Sequence, residues 1–280
     1  MGDIKSCAIL NNGVRMPWVG FGTYKAEDGD SCVEAVKEAL NIGYRHIDTA
    51  SFYGNEESVG IGIKQSGVPR KDIFLVSKVW NSDQGYEKTL QAFQNSIKNL
   101  GTDYLDMYLI HWPQKVSRET WKAMEKIYEE GCVRAIGVSN FNVKHLEYLM
   151  ENAYVKPVIN QVEFHPQLVQ SDLIEFCKNN CIQLEAWSPL MRGKVFQIPL
   201  FHELSKKYDK TMSQIVLRWD LQMGIVTIPK STNPERIKEN INIFDFEISK
   251  DDMVEIEKLN IGLRMGMNPD KVYEGRIIES

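Results

Sequence analysis

The sequence predicts an α/β protein, a single (β/α)8 TIM barrel spanning residues 1–280 with an N-terminal β-hairpin cap. Three observations carry that prediction. Eight short apolar runs recur along the chain, patterns of helical period lie between them, and no Pro/Gly/Ser-rich stretch interrupts the sequence as a linker would. Strand and helix alternating in this way imply parallel strands joined by crossover helices, closed into one domain rather than split into two doubly wound halves.

The hairpin comes first: residues 7–16 place Asn12-Gly13 between two apolar stretches, a pair that favours the tight turns of hairpins. Strand candidates then fall at residues 19–22, 45–48, 74–79, 105–110, 133–138, 158–162, 182–186 and 225–228. Their starts are roughly 24 to 31 residues apart, with a gap of about 43 before the last, the spacing of repeated βα units. Among the helices, 31–40 carries Val33, Val36, Ala39 and Leu40 on one face and is stopped by Gly43. Segments 142–150, 171–178 and 234–242 each begin at or after a polar cap candidate. The last helical pattern ends near Leu259 and leaves a short polar tail from 262 to 280.

Composition narrows the function. Hydrophobic residues make up 43% and charged residues 25%, which is globular, and the net charge of −5 gives no attraction for phosphate backbones or anionic lipid, so nucleic acid is not an expected partner. No apolar run approaches the ~20 residues of a membrane span and the N-terminus lacks a signal-peptide block, so the expectation is a cytoplasmic protein without membrane association. Five cysteines with no C-x-x-C pair argue against both a disulfide framework and a thiolate metal site.

In a barrel of this type, reactive groups gather at the C-terminal ends of the strands. Asp48, Lys78 and His111 close the second, third and fourth strand candidates, and Tyr53 follows Asp48 by five residues. A buried charge is costly without a partner, so Asp48 is expected to pair with Lys78. An ammonium beside a phenol is expected to lower a pKa that starts near ~10 and to make Tyr53 a proton donor and acceptor. His111 would position a carbonyl oxygen.

These residues lie in motifs that resemble the aldo-keto reductase family over nearly the whole chain. The likeness rests on Gly43-Tyr44-Arg45-His46-Ile47-Asp48-Thr49-Ala50, on Tyr53 followed by Gly54-Asn55-Glu56, and on Ser77-Lys78-Val79-Trp80. It continues through Leu109-Ile110-His111-Trp112-Pro113, Ile136-Gly137-Val138-Ser139-Asn140-Phe141 and Ile228-Pro229-Lys230-Ser231. The resemblance implies an NADPH-dependent carbonyl reductase in which Asp48, Tyr53, Lys78 and His111 form the catalytic tetrad, and a monomer that takes a small-molecule carbonyl substrate.

The cofactor pattern agrees with a barrel and not with a Rossmann domain, because Gly60-Ile61-Gly62 is not followed by the third glycine of a dinucleotide fingerprint. Barrels bind phosphate near the loops after the last strands, where Lys230, Ser231, Thr232 and Arg236 supply cations and hydroxyls. By resemblance that cluster holds the 2′-phosphate of NADPH, with Glu239 and Asn240 near adenine. Ser139, Asn140 and Gln161 would hold the nicotinamide carboxamide, Trp187 would stack on its ring where many relatives have Tyr, and Ser188 and Leu190 would line the pyrophosphate path. Tyr24, Phe52, Trp80 and Trp112 suggest an apolar substrate pocket. The short tail is expected to leave that pocket open and to favour small aldehydes.

Within the family, Asn160-Gln161-Val162-Glu163-Phe164-His165-Pro166 and Glu185-Ala186-Trp187-Ser188-Pro189-Leu190-Met191 are most similar to bacterial glyoxal and methylglyoxal reductases. Members resembling 2,5-diketogluconate reductase, and reductases of prostaglandin-type carbonyls, share nearly the same framework. A metal-dependent hydrolase is the alternative of another class, since His46 and Asp48 share one strand face and Glu163 and His165 another. That reading leaves Tyr53, Lys78 and the Lys230 cluster without roles, and no metal is expected. A barrel that binds cofactor without turnover is a third reading, against which the intact tetrad speaks.

Overall fold

In a computed structural model of the chain, residues 2–275 are described, so the last five residues of the polar tail lie outside the described part. The hairpin forms as β1 (Cys7–Ile9) and β2 (Arg15–Pro17), antiparallel with Ala8 opposite Met16. Its turn needs Gly13 at φ 81°, a left-handed conformation that glycine adopts without strain. Ala8, Leu10 and Met16 are buried against inward-facing strand residues such as Phe74, Met107 and Ile159, so the hairpin plugs the N-terminal end of the barrel.

Eight parallel strands follow: β3 (Phe21–Gly22), β4 (His46–Asp48), β5 (Phe74–Val79), β6 (Met107–Ile110), β7 (Ile136–Ser139), β8 (Ile159–Glu163), β9 (Gln183–Trp187) and β10 (Val226–Thr227). They lie side by side in chain order, and the ring closes where Val19 pairs in parallel with Thr227 and the Gly20 amide donates to the Thr227 carbonyl at 2.9 Å. Each strand is found at or within three residues of its expected position. Side chains alternate across a strand, so Phe74, Val76 and Lys78 of β5 face one way and Leu75, Ser77 and Val79 the other. Phe74 and Val76 join the cluster under the hairpin, which places Lys78 on the barrel axis two residues above them.

The connecting helices are α1 (Asp30–Ile42), α2 (Glu56–Ser66), α3 (Tyr86–Leu100), α4 (Ser117–Glu129), α5 (Val143–Met150), α6 (Ser171–Asn179), α7 (Pro199–Tyr208), α8 (Met212–Gln222) and α9 (Pro234–Ile241). Gly43 stops α1, its amide capping the carbonyls of Ala39 and Leu40. The long gap before the last strand is explained by two helices, α7 and α8, between β9 and β10; a Thr211–Gln214 capping box starts the second. Among the described residues no helix is long and apolar enough to cross a membrane.

Gly20 lies where the barrel closes against His46. A Cβ there would come within 2.4 Å of His46 Nδ1, and the residue does not occupy left-handed backbone, so the cost of a methyl group is steric. Gly20→Ala is expected to lose about 1–3 kcal/mol of stability through overpacking, read as a lower denaturation midpoint at unchanged m. An unchanged midpoint would mean that the His46 ring moves aside freely.

The tail departs from expectation. After α10 (Lys250–Glu257) the chain crosses back over the barrel mouth and forms α11 (Pro269–Tyr273), where Asp270 accepts from Asn142 Nδ2 at 2.8 Å and pairs with Lys144 at 3.1 Å. Residues 261–273 are therefore a docked strap and not a loose tail; it lies against Asn142, Glu163, Gln167 and Trp187, on the β7–β9 side of the mouth, and leaves Tyr24 and Phe52 exposed.

Candidate active site

Lys78 is fully buried, and its ammonium spends all three protons on named acceptors: Asp48 Oδ1 at 2.6 Å, the Thr49 carbonyl at 3.0 Å and the Tyr53 hydroxyl at 3.4 Å. Strand alternation places Asp48 and Lys78 on the axis, and the 3-10 turn Ser51–Tyr53 brings the phenol over them. That turn is tied down from both sides. Ser51 Oγ donates to the Lys78 carbonyl at 3.0 Å, and Asn55 Nδ2 donates to the carbonyls of Thr23 and Ala26 at 3.0 Å each. Glu56 accepts from Ser77 Oγ at 2.6 Å. The Gly54-Asn55-Glu56 motif thus holds the Tyr53 loop in place, a role that its sequence does not announce.

Burial pushes the Tyr53 phenol well above its usual range, and the Asp48 carboxylate adds to the rise. The expectation that Lys78 lowers it is therefore overturned: desolvation and the adjoining carboxylate outweigh the cation, and the phenol is held protonated. His111 is buried, and desolvation followed by the charge of Lys78 pushes its imidazole well below the ordinary value, so the ring is neutral. It stands edge-on to Tyr53 at 5.5 Å and to Trp80 at 5.0 Å between centroids. A protonated phenol and a neutral imidazole with one N–H can both donate to one oxygen.

The rim is aromatic. Phe52 stacks on Trp80 at 3.7 Å, Tyr24 lies 5.0 Å from Tyr53, and Phe52 and Tyr24 are 50% and 45% exposed, which leaves apolar surface at the mouth. Trp112 is placed differently from the other three: it is buried, and its carbonyl accepts from Gln84 Nε2 at 2.8 Å.

On the other side of the mouth, Asn140 takes a left-handed φ of 64° and gathers its neighbours. Its amide donates to the His111 carbonyl and to Ser139 Oγ, both at 3.0 Å, and its Oδ1 accepts from Trp187 Nε1 at 2.8 Å. Gln161 Nε2 donates to Asp48 Oδ2 at 2.8 Å and to Glu185 Oε2 at 2.7 Å, which uses both its protons and leaves Oε1 as the acceptor it has to offer. Ser188 also has positive φ, and both it and Leu190 are half-buried on the way out of β9.

Around the start of α9, Lys230, Thr232 and Arg236 are exposed and Ser231 is buried. Among the described residues no carboxylate pairs with Lys230 or Arg236, and partial burial lowers the Lys230 pKa, so an added anion would relieve an uncompensated charge. Glu239 is half-exposed with Oε1 accepting from Thr211 Oγ1 at 2.6 Å, while Asn240 is buried.

The metal-ligand alternative loses its residues to other tasks. His46 Nε2 faces Glu185 Oε1 at 3.5 Å. Glu163 accepts from the backbone amides of Met265 and Gly266 and faces His165 Nε2 at 3.2 Å, so it fastens the strap. A Cβ on Gly266 would come within 2.4 Å of the Trp187 ring, which shows how closely the strap lies on that indole. Among the described residues no three His, Cys, Asp or Glu side chains gather as a ligand set.

Comparison with known proteins gives a consistent picture. Residues 18–261 match the model of the aldo/keto reductase family. The chain is 55% identical to the glyoxal reductase of Bacillus subtilis, over 96% of this chain and 98% of that one. Among solved structures it superposes on an aldo-keto reductase from a Medee basin deep-sea metagenome library with a TM-score of 0.92, at 50% identity, covering 94% of this chain and 98% of the other. It also superposes on the Bombyx mori aldo-keto reductase in complex with NADP, with a TM-score of 0.90 at 36% identity and 98% coverage of both.

Proposed function

Starting from the premise that the chain belongs to the aldo/keto reductase family, we propose that it reduces small aldehydes and ketones such as glyoxal and methylglyoxal to alcohols, using NADPH and with Tyr53 as the proton donor. One observation carries the reading: the Tyr53 hydroxyl, the hydrogen-bonded end of a fully buried Lys78–Asp48 pair, is held protonated beside a neutral imidazole at an aromatic mouth. NADPH, when bound, supplies the hydride that reaches the carbonyl carbon. The protein's task is the charge that then develops on oxygen. Tyr53 gives that oxygen its phenolic proton, and His111 donates a hydrogen bond that orients it. Lys78 sits 3.4 Å from the phenol oxygen and stabilises the phenolate left behind, while Asp48 keeps the ammonium from turning away.

The residues around α9 fit a cofactor phosphate because they present two cations with no acid partner among the described residues. Lys230 and Arg236 would take the 2′-phosphate, Ser139, Asn140 and Gln161 the carboxamide, and Trp187 the face of the nicotinamide. Arg236→Ala is expected to weaken NADPH binding by about 1–3 kcal/mol, the worth of a hydrogen bond to a charged group, and to leave NADH binding nearly unchanged. Equal losses in fluorescence titrations with the two cofactors would remove Arg236 from that role.

The direct test is NADPH oxidation by the purified protein with glyoxal and methylglyoxal, with and without EDTA. Turnover that EDTA spares supports the reading. Activity that needs a divalent metal and no NADPH would replace it with the hydrolase alternative.

A further inference from the structure

Beneath the tetrad the barrel interior holds a second carboxyl that the proposed chemistry does not use. Glu185 of β9 and Asp48 of β4 are both buried, and both accept from the same amide nitrogen, Gln161 Nε2 of β8, at 2.7 and 2.8 Å. The cluster contains one cation, Lys78 of β5, and it is committed to Asp48 at 2.6 Å. Two carboxylates sharing one ammonium would leave a net negative charge out of water, so one of them must keep a proton. Asp48 has the cation, and the proton therefore belongs to Glu185.

The orphaned atom says which oxygen holds it. Glu185 Oε1 is buried with no conventional hydrogen-bond donor, and it stands 3.5 Å from His46 Nε2. The neutral His46 ring has one N–H, and the Pro17 carbonyl accepts from the ring, which leaves the lone pair to the nitrogen that faces Glu185. A carboxylate facing that lone pair satisfies neither group, and a carboxyl O–H facing it satisfies both. The imidazole cannot act as a cation instead, because burial, followed by the charge of Lys78, lowers its pKa to about 3.

We propose that Glu185 is a neutral acid in the working protein, its proton on Oε1 toward His46 Nε2, and that this neutrality makes it a positioning residue which keeps Lys78 committed to Asp48 and Tyr53. The kinetic half of this proposal rests on the reductase reading given above; the protonation of Glu185 does not. Burial, with the Asp48 charge second, raises the Glu185 pKa to about 8, while hydrogen bonding from Gln161 and the charge of Lys78 oppose the rise. The groups facing it are His46 and Asp48 from β4, Lys78 from β5 and Gln161 from β8; Val226, beside it on β10, carries no charge. Ionisation would place a second negative charge near Lys78 and raise the phenol of Tyr53 further, weakening it as an acid.

The expected result is that kcat/KM for carbonyl reduction falls about tenfold between pH 7 and pH 9, as for one group titrating at about 8 whose charged form is inactive, and that Glu185→Gln removes this fall. The amide of that variant reproduces the neutral acid, donating toward His46 and accepting from Gln161. Infrared spectroscopy of the protein without cofactor or substrate provides the independent readout. Asp220 is a second buried carboxyl whose pKa is raised by burial, so the band is assigned from the wild-type minus Glu185→Gln difference. A protonated-carboxyl C=O stretch in that difference at pH 7, lost with a midpoint near 8, supports the proposal. Its absence at pH 7 overturns the proposal whether or not the protein reduces any carbonyl. A present band together with an unchanged alkaline fall in the variant overturns the positioning role, and a present band in a protein that turns over no carbonyl overturns that role and the reductase reading alike. Should the variant fail to fold, the carboxyl carbon shifts of 13C-glutamate-labelled wild type replace the difference spectrum, with a resonance titrating near 8 as the supporting outcome and none as the overturning one.

Discussion

Tyr53→Phe is expected to lower kcat for carbonyl reduction by about a thousandfold, within the range that a positioned general acid contributes, while the NADPH dissociation constant stays within about twofold. The substitution removes one oxygen and keeps the ring that packs 5.0 Å from Tyr24 and 5.5 Å from His111, so the mouth keeps its shape. Lys78 loses the weakest of its three contacts, at 3.4 Å, and retains those to Asp48 and the Thr49 carbonyl at 2.6 and 3.0 Å. The lost stabilisation is thus confined to the oxygen that develops charge, which is why kcat and not cofactor binding carries the effect. Single-turnover reduction of methylglyoxal beside a fluorescence titration of NADPH separates the two quantities. Near-normal turnover would transfer the proton-donor role to another group, with Tyr24 and His111 the neighbouring rings that carry a proton.

The expected persistence of His111 in a neutral state sharpens the comparison. Because its imidazole is pushed well below the ordinary value, the ring does not become a cation that substitutes for the missing phenol at neutral pH. A residual rate in Tyr53→Phe should therefore show no rise on moderate acidification, as it would if an imidazolium took over.

The barrel was legible in the sequence because its signal is periodic. Strands buried on both faces read as continuous apolar runs, and the same alternation that packs Phe74 and Val76 under the hairpin forces Lys78 onto the axis. Tyr53, Asp48 and His111 were legible for a related reason, as polar residues at strand ends in a fold whose chemistry gathers there. What escaped the sequence depends on pairing at a distance. Glu163 reads as a ligand next to His165, and only the return of the chain 102 residues later shows it holding the Met265 amide. Glu185 reads as one more polar residue on a strand, and its significance arises from sharing Gln161 Nε2 with Asp48 across the barrel. The direction of the Tyr53 shift failed for the same reason: a neighbouring cation is visible in a motif, whereas the burial of the phenol arises only when the chain folds.

Lys78→Met tests that interior directly and should have the largest effect on stability. It removes the cation bound at 2.6 Å to an Asp48 that is 2% exposed, and it leaves a carboxylate with only Gln161 Nε2 to offset it, so a loss of about 3–5 kcal/mol is expected together with loss of turnover. Adding Asp48→Asn to Lys78→Met removes the stranded charge and should recover most of the stability while leaving the protein inactive. Denaturant unfolding, read beside NADPH oxidation, checks both halves. A double variant no more stable than Lys78→Met alone would mean that the packing of the Lys78 stem, and not charge pairing with Asp48, is what the interior requires.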